Sequence, residues 1–157
     1  MPRRTTLSLL ALAVTCTTTA ATSIDDFLSA MSGTQPQVQW DVATAVTGDF
    51  NGDGASDFAV VGYKNDGIVL AVDVENGSQQ ADVQFMSFGV DRGVQAAVCV
   101  TPVHLALVAL SCDVEGVSLP GCAEVPGASG LSVSDDECDP INLYWNKTEK
   151  RMSWWRN

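Results

Sequence analysis

The spacing of apolar positions changes along the chain, and each change predicts an element. Residues 7–14 are almost wholly apolar. Ile24, Phe27, Leu28 and Met31 then recur at helical spacing and form one stripe, which predicts a short helix over 23–33. Ser23 can cap it, Asp25 and Asp26 complement the dipole in its first turn, and Gly33 can end it. Residues 34–37, with Pro36, read as a linker.

From there the pattern belongs to strands and turns. Residues 38–46 alternate loosely, and 57–63 form a β-branched run. Lys64-Asn65-Asp66-Gly67 reads as a hairpin turn, because Asn and Gly tolerate positive φ. Residues 68–74 follow as a strand, and Glu75-Asn76-Gly77-Ser78 reads as a second turn. Residues 83–88, 94–100 and 103–110 are further predicted strands. Pro120, Gly121, Pro126, Gly127, Gly130 and Pro140 make 112–140 read as a long loop region. Residues 141–145 and 151–156 read as a terminal hairpin around a polar turn at 146–150. The expected class is mostly β, with one short N-terminal helix, in a single domain over 22–157.

The opening residues change the picture from structure to address. Arg3 and Arg4 precede the apolar run, and small residues follow it, which is the layout of a secretory signal peptide. The run is too short to span a bilayer, and Pro102 and His104 interrupt the other apolar candidate, 94–110. Cleavage after Ala21 places Thr19 and Ala21 at the recognition positions. The alternative is lipoprotein processing at Cys16, although Ala13 and Thr15 fit a lipobox poorly. The first route gives a periplasmic or secreted protein, and the second an outer-membrane lipoprotein.

Charge and cysteines agree with export. The chain has 19 Asp and Glu against 8 Lys and Arg, a formal net charge of −11. That balance argues against a nucleic-acid partner, which needs a basic face. Beyond Cys16 stand Cys99, Cys112, Cys122 and Cys138, an even number that reads as two disulfides in an oxidising compartment. Sequential pairing, Cys99–Cys112 and Cys122–Cys138, is favoured because it closes short loops. No C-x-x-C is present and His104 is the only His, so a cysteine-based zinc site is disfavoured.

One segment carries specific chemistry. In Gly48-Asp49-Phe50-Asn51-Gly52-Asp53-Gly54-Ala55-Ser56-Asp57, side-chain oxygens stand at loop positions 1, 3, 5 and 9. They belong to Asp49, Asn51, Asp53 and Asp57. Gly54 stands where the chain must turn sharply, and Ala55 can offer its carbonyl. Calcium takes six to eight hard oxygen ligands in a flexible cage, and this alternation supplies them. Three carboxylates in so short a loop repel one another without a cation. Position 12 is Val60, not the bidentate Glu of an EF-hand, and apolar runs flank the loop.

GDFNGDGASDFAVVG resembles the calcium-binding strand–loop–strand of FG-GAP (VCBS-type) repeats, found in the integrin alpha-chain propeller and in many bacterial secreted proteins. The resemblance covers residues 48–62 only. It implies Asp49, Asn51, Asp53 and Asp57 as side-chain ligands and Ala55 as a carbonyl ligand. One copy is present where a propeller needs several, so the expected scaffold is partial-propeller-like or sandwich-like, not a complete propeller.

Other constellations are weaker. Asp135-Asp136-Glu137-Cys138-Asp139 reads as a solvated acidic loop. His104 reads as a strand histidine with a structural hydrogen bond. No nucleophile or acid–base set is visible, so the chain reads as a non-enzyme. Tyr144, Trp145, Trp154 and Trp155 gather near the C-terminus with Lys147, Lys150, Arg151 and Arg156. Such rings either pack across the hairpin or present a face to a sugar or a protein. Two functions follow. The first is an exported calcium-binding protein that inhibits a protein partner such as a cell-wall hydrolase. Certain periplasmic immunity proteins against such hydrolases pair a calcium loop of this kind with a small β fold, and the case rests on that analogy. The alternative is an adhesion or glycan-binding module that uses the Trp-rich hairpin.

Overall fold

The computed structural model describes residues 23–74 and 83–157. The expected signal peptide, Cys16 and the turn at 75–78 lie outside the described residues.

The stripe at the start of the described chain forms α1 (Ile24–Thr34). Ser23 and Asp26 make a capping box: the Asp26 N–H donates to Ser23 Oγ at 3.2 Å, and the Ser23 N–H donates to Asp26 Oδ2 at 3.4 Å. The helix does not stop at Gly33. It runs one residue further, and Gln35 closes it by donating its N–H to the Met31 carbonyl at 3.0 Å.

Among the described residues eleven strands follow, in chain order β1 (Gln39–Gly48), β2 (Asp57–Lys64), β3 (Gly67–Asp73), β4 (Gln84–Val90), β5 (Ala97–Val98), β6 (His104–Ala109), β7 (Asp113–Val114), β8 (Val117–Ser118), β9 (Ser129–Ser134), β10 (Ile141–Asn146) and β11 (Arg151–Trp155). The first five form one sheet in sequential order, antiparallel except for the β4–β5 pair. A second, antiparallel sheet runs β11-β10-β9-β6, and β7 and β8 make a separate two-stranded ribbon. Neither main sheet closes into a barrel or propeller blade ring, so the sandwich-like form is the one the chain adopts.

Alternation decides what each sheet buries. Ala59, Val61, Ile68, Leu70, Val72, Met86 and Phe88 face the second sheet, where Leu105, Leu131, Val133, Ile141, Leu143 and Met152 meet them. The intervening residues Phe58, Val60 and Ala71 face the other way and pack under Phe27 and Met31 of α1. With both faces covered, β2 and β3 read as continuous apolar runs. Phe27 stacks on Phe58 with ring centroids 5.9 Å apart.

The structure departs from the sequence expectations in three regions. The run at 94–100 contributes only Ala97 and Val98 to a strand; the preceding residues turn, with the Asp91 side chain accepting the Gly93 N–H at 2.8 Å. The region 112–140 is not all loop, because it holds the ribbon and the central strand β9. In β9, Leu131 and Val133 point into the core while Gly130, Ser132 and Ser134 alternate with them; small polar residues hide a strand from a hydrophobicity pattern. β1 carries a bulge in which residues 42–45 stand opposite Val60 alone. Thr44 Oγ1 closes it by accepting the Val61 N–H at 3.0 Å, in place of a ladder carbonyl.

Both sheets have edges that side chains occupy. Gln84 Nε2 donates to the Met152 carbonyl at 2.9 Å, and its Oε1 accepts the Met152 N–H at 2.7 Å. One amide thus satisfies both backbone groups of a residue on edge strand β11. Arg156 extends the same seam by donating to the Ala97 carbonyl at 2.6 Å.

Candidate functional site

The oxygen-rich segment forms the loop between β1 and β2, and it is built into the junction of the two sheets. Phe50 is fully buried in the shared core. The Asp49 carbonyl accepts the Ser129 N–H, the first residue of β9, at 2.8 Å. Gly52 lies so close to Val125 that a Cβ there would meet its side chain at 2.8 Å. Gly52 and Gly54 both adopt positive φ, at 78° and 84°, which bends the loop back on itself.

Inside the loop the predicted ligands act as acceptors for its backbone. Asp49 Oδ1 accepts the Gly52 N–H at 2.6 Å and the Asp53 N–H at 3.2 Å, and Oδ2 accepts the Gly54 N–H at 2.9 Å. Asn51 Oδ1 accepts the Asp53 N–H at 2.9 Å, and Asn51 Nδ2 donates to Asp53 Oδ2 at 2.8 Å. Asp53 Oδ1 accepts the Ala55 N–H at 2.8 Å. Asp57, fully buried at the start of β2, accepts the Phe50 N–H on Oδ2 at 2.6 Å. All five predicted ligand residues therefore lie in one short loop. Among the described residues, however, no group of three or more His, Cys, Asp or Glu side chains is arranged to hold a metal. The hydrogen bonds explain this: the carboxylates are turned onto neighbouring N–H groups.

The donor chemistry still fits a hard cation. A carboxylate oxygen carries two lone pairs, so one that accepts an N–H keeps capacity for a further partner. Oxygen is the only ligand element in the set, which suits calcium and not a soft metal.

The cysteines form two disulfides, but not the sequential pairs. Cys99 bonds Cys138 across 39 residues, and Cys112 bonds Cys122 across 10. The reason is topological. β5 and the 135–139 loop lie at one end of the sandwich, whereas the ribbon β7–β8 brings Cys112 back beside Cys122. Short loop closure is a weak preference beside a fold that has already set which ends meet.

The acidic run at 135–139 is not simply solvated. Asp135 is buried and accepts four backbone N–H groups. Those of Cys99 and Val100 reach Oδ2, and those of Glu137 and Cys138 reach Oδ1. Burial alone would raise its pKa, but the four donors outweigh it and hold the carboxyl below the ordinary aspartate value. Asp135 thus ties together the two chain segments that the Cys99–Cys138 bond also joins. Its signal in the sequence was an Asp just past a strand and three residues before a Cys. The remaining acids of the run are exposed, and Glu137 pairs with Arg92. His104 is exposed rather than held in the strand's interior, with Nε2 3.4 Å from Asp136 Oδ2.

The four aromatic residues do not make one platform. In the β10–β11 register Trp145 lies opposite Met152 and Leu143 opposite Trp154, on the core side. Trp145 packs on the core, and Trp154 meets Phe88 edge-on at 5.7 Å. On the other face, Tyr144 is buried and donates its hydroxyl to the Pro120 carbonyl at 3.0 Å. Trp155 stands opposite Asn142 and lines a small cleft of about 140 Å³ with Val108, Gly130 and Tyr144. Among the described residues no helix is long and apolar enough to cross a membrane.

No protein-family model matches this chain, and neither a curated protein nor a solved structure does.

Proposed function

We propose that the chain is an exported binding protein, stabilised by calcium in the 49–57 loop, that inhibits a basic protein such as a cell-wall hydrolase. The observation that carries this reading is where the donor-bearing loop sits: Phe50 in the common core, and the Asp49 carbonyl on the Ser129 N–H of the opposite sheet. Asp49, Asn51, Asp53 and Asp57, with the Ala55 carbonyl, would hold the ion. Bound there, calcium neutralises three clustered carboxylates and ties the loop that joins the sheets. Its contribution is structural, since a ligand that binds only the folded state stabilises it by mass action.

Export is supported by the N-terminal pattern and by two disulfides, which persist in oxidising compartments. The periplasm is the compartment we favour, with a lipid anchor at Cys16 as the alternative route of retention. Inhibition is supported by analogy with calcium-loop immunity proteins and by charge. An acidic protein is steered electrostatically to a basic enzyme.

The test uses purified basic peptidoglycan hydrolases of each bond specificity, assayed on peptidoglycan with the oxidised mature protein. Stoichiometric inhibition of one of them, weakened in EDTA, supports the reading. No inhibition of any class, with the protein folded, overturns it. Glycan binding is the second reading, favoured by the half-buried Trp155, whose ring lines a cleft with Val108, Gly130 and Tyr144. It expects purified polysaccharide to be retained by the parent and lost on Trp155→Ala.

A further inference from the structure

From Ser111 to Ser129 no residue is buried. This stretch nevertheless carries one of the two disulfides. Cys112 and Cys122 close a ribbon of two two-residue strands that belongs to neither main sheet. A two-stranded ribbon alone is marginal in water; the base of this one covers Tyr144 and Asn146, but none of its own residues is buried.

Its order is nonetheless extensive. The Leu119 N–H donates to the Cys112 carbonyl at 2.8 Å. The Gly116 N–H donates to Asp113 Oδ1 at 2.9 Å and sets the turn, in which Glu115 and Gly116 both adopt positive φ. The base is fixed to β10 and the turn after it: Tyr144 donates its hydroxyl to the Pro120 carbonyl, and the Lys147 N–H donates to the Gly121 carbonyl at 2.8 Å. The tip is left in solvent, and Val117, at 66% exposure, is the most exposed of the large apolar side chains among the described residues.

We infer that the Cys112–Cys122 hairpin is the element that enters the partner, with Val117 as its apolar anchor and Glu115 as its charged contact. The disulfide braces a tip that lies in solvent beyond the covered base, and bracing a loop in its bound form lowers the ordering cost of association. The occupant's chemistry follows from charge. From Ser111 to Ser129 the chain has no Lys or Arg, and the exposed acids Asp113, Glu115 and Glu124 stand on the hairpin and just past its base. The hairpin therefore fits a recess with a basic rim and an apolar floor in a protein partner. The inference rests on the inhibitory reading above and names the surface that performs it.

The experiment takes the hydrolase that the parent inhibits and measures inhibition by Val117→Arg and by Glu115→Lys. Both positions are exposed, so both variants should melt like the parent. Each is expected to weaken inhibition at least about tenfold, the scale of a central interface contact. Val42→Arg, at a 60%-exposed apolar position on the β1 bulge, serves as control and should inhibit like the parent. If both hairpin variants inhibit like the parent, the hairpin inference is overturned and the inhibitory reading stands. If Val42→Arg weakens inhibition as much as they do, the surface is misplaced and the inference is likewise overturned. If the parent inhibits no hydrolase, the inhibitory reading itself fails.

Discussion

Asp135→Asn isolates a single carboxylate that holds two chain segments together. The native carboxylate accepts two N–H groups on each oxygen. An amide keeps one acceptor oxygen and turns an NH2 group toward the other pair. The exposed loop carrying Glu137 can let its N–H groups return to water, but Cys99 is only 6% exposed. The amide oxygen should therefore turn to Cys99 and Val100, and the loss is that of charge assistance on one side and of two bonds on the other. Hydrogen bonds to charged groups contribute about 1.5–3 kcal/mol, so a total cost of roughly 2–3 kcal/mol is expected at neutral pH. For a domain of this size that lowers Tm by roughly 6–12 °C.

The pH dependence gives an independent check. The folded-state pKa of Asp135 is depressed, so its contribution is fully present above the ordinary aspartate value of 3.8. That contribution is lost as pH falls through the lower native value. Urea unfolding of parent and variant at pH 7 and between pH 4 and 2 should show a gap that narrows with acid. A variant that melts within about 1 °C of the parent, or a gap that stays constant to pH 2, would refute the reasoning.

Two further outcomes follow from packing. Phe27→Ala removes the ring that stacks on Phe58 and unlocks α1 from the first sheet; it should cost about 3–5 kcal/mol in urea unfolding while leaving the second sheet's near-UV signal from Trp145 and Trp154 largely intact at low denaturant. Trp154→Ala should destabilise by about 1–2 kcal/mol through lost contact with Phe88, and Trp155→Ala should abolish polysaccharide retention if the glycan reading is right.

The elements legible in the sequence are those whose chemistry is local. The Ser23–Asp26 cap, the helical stripe, the Lys64–Gly67 turn and the terminal hairpin depend on neighbours within a few residues, and the structure forms each of them. The β10–β11 alternation also separates Trp145 from Tyr144 and Trp154 from Trp155 by face. It could not show that Pro120 covers Tyr144, because that contact spans 24 residues.

What escaped was set by distant partners. β9 alternates Leu131 and Val133 with Ser and Gly, and only its place between β10 and β6 makes it a core strand. The disulfide partners depend on which loops share an end of the sandwich. Asp135 looked like its exposed neighbours, because nothing in DDECD marks the first Asp as the one that meets Cys99. The loop at 49–57 was legible as a donor set. Its position at the joint between sheets was not, since Ser129 lies far along the chain.

The central claim is that a cation in this loop holds the two sheets together. The measurement that tests it most directly is thermal unfolding of the oxidised mature protein in millimolar calcium and in EDTA, for the parent and for Asp53→Ala. At a tenfold excess over Kd, which millimolar calcium gives for an extracellular-type site of about 10⁻⁴ M, a bound ligand contributes about 1.4 kcal/mol, so the parent should melt roughly 4–6 °C higher in calcium, and Asp53→Ala should lose most of that response. Identical melting of the parent in calcium and EDTA, with Asp53→Ala melting like the parent, would contradict the account.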